Sequence, residues 1–309
     1  MYFLRSNEGQ EQIKARTGGS SQPKLALTRL ADVIIRTPDV LTQNEIASIL
    51  LAYDDLIENN ARRIKILEQT AQAIYTEWFV NFRFPDHEKV KVDADSIPAG
   101  WRVLKLRDCL KYYIGGGWGN EEKTDDFSFP AYVIRGTDIS KIAVGNISEC
   151  PLRFHKESNF INRRAEALDI IFEVSGGSKG QPVGRHHLIT QELLNQFNKD
   201  VIFASFCKLV RVNQDIVSPY QVSLLFSDFY EKELIMKYQT QSTGISNFKF
   251  EQFIDDVDVV VPTSEVSSKF ANTCAALFAE IARIGSINSN LRMQRDLLLP
   301  KLITGEIKV

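Results

Sequence analysis

Residues 46–78, IASILLAYDDLIENNARRIKILEQTAQAIYTEW, decide the architecture. Ile46, Leu50, Tyr53, Ile57, Asn60, Ile64, Leu67, Ala71, Ile74 and Trp78 recur at alternating spacings of four and three, and nine of these ten positions are apolar or aromatic. That is the heptad seam of a long helix, narrower than the stripe of an ordinary surface helix. Thr42, with Glu45 three residues on, has the form of a capping box, and Pro85 stands beyond the other end. About 40 residues at ~1.5 Å each make a rod of roughly 60 Å.

Adding 224 to each seam position gives Phe270, Cys274, Leu277, Ile281, Ile284, Asn288, Leu291, Arg295, Leu298 and Leu302, eight of ten apolar in the same phase. The match extends upstream. Asp32 and Val33 fall on Asp256 and Val257, Pro38 falls on Pro262, and the loop at Gly18-Gly19-Ser20 falls on Ser242-Thr243-Gly244. A repeat that spans a polar loop, a β-rich segment, a proline and a helix exceeds what a shared seam alone would give. One such seam reads equally well as a core helix. Two equivalent seams, each longer than a globular layer, point to each other as partners in a two-stranded coiled coil. Leu50, Tyr53, Ile57, Asn60, Ile64, Leu67 and Ile74 would face Leu277, Ile281, Ile284, Asn288, Leu291 and Leu298.

Between the seams, residues 87–262 have a different texture. Short β-rich runs (Ala131–Ile134, Leu168–Phe172, Val201–Phe203, Cys207–Val212, Val257–Val261) are separated by Gly, Asn and Asp turns, with helical patterns at Gln191–Asn198 and Pro219–Lys237. The expected fold is α+β: one mixed α/β domain flanked by two long helices that form an antiparallel coiled coil. The boundaries expected are 1–40 for a partial copy of the domain's end, 41–84 for the first helix, 87–262 for the complete domain and 264–302 for the last helix.

The chain of 309 residues is 44% hydrophobic and 25% charged, which supports a sizeable core and more than one domain. A net charge of -2 gives no global basic field, and residues 87–262 hold 21 Lys and Arg against 24 Asp and Glu. Nucleic-acid binding would therefore need a local patch. One stretch qualifies. Residues 174–191 hold no Asp or Glu and four glycines, with Lys179, Gln181, Arg185, His186 and His187. Glycines let a backbone approach phosphates, while Arg, Lys and Gln match base edges. The loop at 239–249, with Ser242, Thr243, Asn247 and Lys249, has the same character, and Arg135 closes a β-rich run. Either loop alone also fits an ordinary solvated turn.

Taken in order, the motifs resemble the specificity (S) subunit of type I restriction-modification enzymes, in a partial or half-length form. The run Ile64 to Phe84 is similar to that family's central helix, and Ile97-Pro-Ala-Gly-Trp101 with Leu106 and Asp108 to the start of its target recognition domains. Leu168–Phe172 with Gly176-Gly-Ser is similar to the middle of such a domain, Ser242–Lys249 through Pro262 to its end, and Leu297–Glu306 to the closing helix. The resemblance implies a non-catalytic subunit that reads half of a bipartite DNA site. Modification subunits using S-adenosylmethionine and restriction subunits using ATP and Mg would assemble on it. No cofactor or metal is expected in this chain. Where a full subunit carries two recognition domains, this sequence has one, plus about the last 40 residues of another, so two copies could also pair as a homodimer.

Other readings are weaker. Pro85-Asp86 with Glu121-Glu-Lys123 formally fits a metal-dependent nuclease of the PD-(D/E)xK pattern, but such short elements recur by chance. A coiled-coil adaptor that only contacts other subunits would use the seams and not the loops. Cys109, Cys150, Cys207 and Cys274 lie far apart with no CxxC pair, as expected of reduced thiols. No apolar run reaches the length of a membrane span, and Arg5 and Glu8 interrupt any signal-peptide core, so a cytoplasmic protein is expected.

Overall fold

A computed structural model of the chain describes residues 2–18, 24–35, 38–92, 97–176, 181–242 and 245–309. By contacts the chain divides into two compact units, residues 1–60 with 288–309, and residues 61–287.

In the first unit, the long helix Val40–Tyr75 begins beside the last helix, Ser264–Ile303. Leu50 packs on Leu299 and Leu302, Arg295 Nη1 pairs with Asp54 Oδ1, and Asn60 Nδ2 donates to Asn288 Oδ1 at 3.0 Å. Rising numbers on one helix meet falling numbers on the other, so the two run antiparallel. Asn288 Nδ2 also donates to the Ile57 carbonyl at 3.3 Å, which leaves neither buried amide without hydrogen bonds. The helix starts earlier than the capping-box reading puts it. Asp39 is the cap: its carboxylate accepts the Thr42 N–H at 3.0 Å and the Thr42 hydroxyl at 2.8 Å, which places Thr42 inside the first turn. These bonds favour the ionised form and hold the Asp39 carboxyl below its usual range.

The second unit holds the remainder of both helices and the central domain. Ile64 packs on Ile281 and Ile284. Toward its end the first helix widens into a π turn, Thr76–Val80, and stops there, short of the expected residue 84. The stop is decided by aromatic packing. Phe79, Phe82 and Phe84 surround Trp101 with ring centroids 5.8, 5.7 and 4.9 Å away, and Phe79 meets Phe270 edge-on at 4.7 Å. The helix-end motif and the Pro-Ala-Gly-Trp101 turn thus form one aromatic cluster.

The strands are β1 (Arg102–Lys105), β2 (Leu110–Gly115), β3 (Phe129–Ile134), β4 (Leu152–His155), β5 (Ile170–Glu173), β6 (Ser175–Gly176), β7 (His186–Leu188), β8 (Asp200–Phe203), β9 (Cys207–Val212), β10 (Gln239–Ser242), β11 (Ile245–Phe248) and β12 (Asp258–Val261). They form sheets ordered β2-β9-β5-β7, β4-β3-β8, β10-β11-β6 and β1-β12. Among the described residues, only β3 and β8 pair in parallel. β5 is buried on both faces, which explains its continuous apolar run. Phe172 lies at the centre of the core, with Phe226, Phe248, Phe250 and Phe253 around it. Just before β5, buried Asp169 takes a bidentate bond from Arg211 at 2.8 Å and accepts the Glu166 N–H at 2.7 Å, which assigns the Asp of the Leu168–Phe172 motif to bracing. The pattern at Pro219–Lys237 is one helix to Glu231, then a break at Glu233 in the left-handed region, then a 3-10 turn. All four cysteines are buried free thiols. Among the described residues, no helix is long and apolar enough to cross a membrane.

Candidate nucleic-acid interface

β3 ends at Ile134, and the next residues turn through Arg135 into a short helix (Ile139–Ile142). β5 ends at Glu173, and β7 is entered through Arg185. These two chain reversals line a cleft of about 900 Å³ that gathers Arg135, Gln181, Arg185, Lys141, Trp118 and Phe206. Three of the residues singled out in the sequence therefore share one surface although up to 50 residues separate them.

Each arginine is braced by a buried carboxylate. Arg135 donates Nε to Asp138 Oδ2 at 2.8 Å and Nη2 to Asp138 Oδ1 at 2.7 Å, and Nη2 also bonds the Glu149 carbonyl. Arg185 donates Nε and Nη2 to the two oxygens of Glu173 at 2.9 and 2.5 Å. Asp138 and Glu173 are only 1% and 2% exposed. The bidentate bonds hold both guanidiniums protonated, with pKa values above the ordinary arginine range. They also occupy the Nε and Nη2 side of each fork and leave Nη1 for a ligand, in a geometry that costs little entropy to fix. Gly136 makes the approach possible, because a Cβ there would lie 2.5 Å from Glu173 Oε1. Charge is nearly balanced in the cleft, so it offers directed donors without a strong field.

The second polar loop joins this wall through Asn247. β11 pairs with β6, and Ser175 Oγ donates to Asn247 Oδ1 at 2.8 Å. Thr240 Oγ1 donates to the Asn247 carbonyl at 3.3 Å. Lys249 is exposed at the far end of β11. Ser242 closes β10 through its backbone, while Lys179 and Thr243 lie outside the described residues.

His186 and His187 are placed elsewhere. They belong to strand β7 and line a separate cavity of about 280 Å³ with Lys65, Glu68 and Gln72. His186 Nε2 donates to the Ser223 carbonyl at 2.9 Å. Burial lowers both pKa values to about 4, helped at His187 by the neighbouring imidazole, so both rings are neutral at pH 7 and present no cation to DNA. Their sequence position beside a glycine run made them look like loop residues. The formal nuclease residues are also apart from any such site: Asp86 pairs with Lys89 and Glu121 with Arg153.

Sequence reading missed Asp138, Glu173, Trp118, Lys141 and Phe206. Asp138 had a signal, an acid three residues after an arginine. Glu173 had a weak one, a carboxylate ending a buried apolar run. Phe206 had none.

Residues 1–69 match the family described as type I restriction modification DNA specificity domain. Beyond that segment, the chain is similar along its whole length to one specificity subunit of a type I restriction enzyme. It is 27% identical to the MjaIX specificity subunit of Methanocaldococcus jannaschii over 321 aligned positions, covering 100% of this chain and 68% of that one. It is 36% identical to the HindI specificity subunit of Haemophilus influenzae over 116 positions, 37% of this chain and 24% of that one. Superposition on the S subunit of M. genitalium gives a TM-score of 0.49 at 17% identity, covering 97% of this chain and 71% of that one. The HsdS subunit of Thermoanaerobacter tengcongensis gives 0.39 at 15% identity, with 99% and 69% covered.

Proposed function

We propose that this chain is a DNA-reading specificity subunit of a type I restriction-modification complex, a host-defence system, with no catalytic role of its own. The central domain, residues 87–262, acts as a target recognition domain that reads one half of a bipartite site. Residues 41–84 and 264–302 act as the spacer helices on which modification subunits assemble, and residues 1–40 act as the closing part of another recognition domain. Methylation with S-adenosylmethionine, and any ATP- and Mg-dependent translocation and cleavage, belong to the modification and restriction subunits in the cytoplasm. A second copy of this chain is the partner that would supply the other half-site.

The observation that carries the reading is the cleft in which Arg135 and Arg185 are each held in plane by a buried carboxylate beside Gln181. The Nη1 donor left on each guanidinium can reach guanine O6 or N7 in the major groove, and glutamine pairs with adenine. The test uses the chain co-purified with its modification subunits. Arg135→Lys keeps the charge beside Asp138 but removes the oriented Nη1 donor. It should lower affinity for the cognate duplex about tenfold or more while leaving non-specific DNA affinity unchanged. Equal affinity for both DNAs before and after substitution would remove the reader and leave a coiled-coil adaptor. For the spacer, deleting one heptad from residues 41–84 should shorten the gap between methylated half-sites.

A further inference from the structure

Phe206 stands on the wall of the same cleft with 53% of its surface exposed. It is not a loose residue. Its carbonyl accepts the N–H groups of Val174 at 2.9 Å and Ser175 at 3.2 Å, and Cys207 N–H closes the turn onto Ala204 at 2.9 Å. The end of β2 clamps the turn from the other side, with Gly116 N–H bonded to the Cys207 carbonyl and Gly117 N–H to the Phe203 carbonyl, both at 2.9 Å. The approach is so close that a Cβ on Gly116 would lie 2.2 Å from the Ala204 carbonyl oxygen. Trp118, the other aromatic residue of the cleft, already has the Arg153 guanidinium 4.9 Å from its ring centre. Phe206 is thus a rigidly mounted, largely uncovered ring next to two oriented guanidinium groups.

A ring in that position adds nothing to the core. A rigid aromatic side chain on a binding wall orders little on contact and contributes area at low entropic cost. The major groove supplies hydrogen-bond donors and acceptors together with a single apolar group, the C5-methyl of thymine. Guanidinium Nη1 donors engaged with base edges bring the wall against the groove floor, where the methyl projects. We propose that Phe206 is a specificity-determining residue that reads a thymine by packing its ring against the C5-methyl. This assignment rests on the DNA-reading function proposed above.

The experiment selects bound sequences from a randomised duplex pool with the chain in complex with its modification subunits. Wild type should require thymine at one position where Phe206→Ala accepts any base, with the rest of the motif unchanged. At that position, replacing dT by dU should weaken wild-type binding about fourfold, the value of one buried methyl, and leave Phe206→Ala binding unaltered. Phe206→Leu should retain the preference. Because Phe206 packs outward, both variants should keep the wild-type urea-unfolding midpoint. If Phe206→Ala selects the wild-type motif while Arg135→Lys changes it, the Phe206 assignment falls and the cleft stands. If neither substitution changes the motif, the cleft itself is not the reader. If dU binds as well as dT while Phe206→Ala loses the preference, the ring acts as a wedge between bases and the methyl assignment is overturned.

Discussion

Residues 15–35 and 239–259 occupy equivalent positions in the 224-residue repeat and differ in structure. In the complete copy, β10 and β11 form a hairpin with four paired positions, and β12 pairs with β1 from Arg102 to Lys105. In the partial copy the described residues show a bridge between Gly18 and Lys24, and residues 33–35 form no strand. Val259 is 3% exposed, whereas its counterpart Ile35 is 47% exposed. The difference lies in what is available to pair. β12 takes its ladder from β1, whereas residues 33–35 pair with no strand among the described residues. Instead the Gln12 side chain serves the backbone of Ile34, accepting its N–H and donating to its carbonyl, both at 2.9 Å. A primary amide presents its carbonyl oxygen and one N–H on the same edge, so it satisfies the N–H and C=O of one residue of a ladder and no more. Strand character here belongs to the pair, not to the apolar residues alone.

The largest test of that contrast is a charge at the two equivalent positions. Val259→Asp buries an unpaired carboxylate in the core and should cost at least about 3 kcal/mol, whereas Ile35→Asp should stay within about 0.5 kcal/mol. Urea unfolding followed by tryptophan fluorescence reads the complete copy selectively, because all three tryptophans lie in residues 61–287. Similar costs at both positions would erase the distinction.

Acid should also separate the two regions. All four histidines lie in residues 61–287, and burial lowers the pKa of His155 and sets those of His186 and His187 at about 4. A histidine with a lowered folded pKa binds fewer protons folded than unfolded. Its stabilisation is complete above about pH 6.5 and is lost as pH falls toward 4. For His186 the loss is about 3 kcal/mol. The urea midpoint by tryptophan fluorescence should fall steeply over that window and less steeply in His186→Gln, while amide exchange in residues 2–18 shows no matching histidine-dependent step.

A smaller effect belongs to the seam that supports the partial copy. Asn60→Leu leaves Asn288 buried without its side-chain partner and should cost about 1–3 kcal/mol, measured as faster amide exchange around residues 54–60 and 288–295. The double substitution with Asn288→Leu should recover most of it. The smallest expected effect is that of Gln12→Ala. It should speed exchange of the Ile34 amide by up to about tenfold and leave the tryptophan-detected transition in place.

The seam was legible because heptad spacing is a local property of the chain. Each of the thirteen seam positions singled out is buried or half-buried, from Leu50 at 0% to the half-covered Tyr53 and Leu291. The errors came where two local solutions compete. Asp39 and Thr42 can both cap, and the one farther upstream won by accepting two bonds from the other. The π turn at Thr76–Val80 depends on Trp101 and Phe270, which are distant in sequence. In the cleft, residue types that hydrogen-bond DNA pointed to Arg135, Gln181 and Arg185, since loop composition is visible in the sequence. The carboxylates that aim them were hidden, because the Glu173–Arg185 pair exists only through the β5–β7 pairing. The same pairing withdrew His186 and His187 from the solvated loop that composition assigned them.

The Asn60–Asn288 pair also encodes which helix may dock on which. Under the 224-residue repeat, Asn60 corresponds to Ile284 and Asn288 to Ile64, so the asparagine layer of one unit corresponds to the isoleucine layer of the other. If two first helices from separate molecules docked antiparallel with the same spacing, Asn60 of each would oppose Ile64 of its mate. Two last helices would likewise set Asn288 against Ile284. Either like-with-like pairing buries an amide against a hydrocarbon twice over, whereas first-with-last pairing sets asparagine against asparagine and isoleucine against isoleucine. The two asparagines therefore act as a parity check on assembly: they pass any arrangement that joins a first helix to a last one, within a chain or between chains, and reject those that join equals.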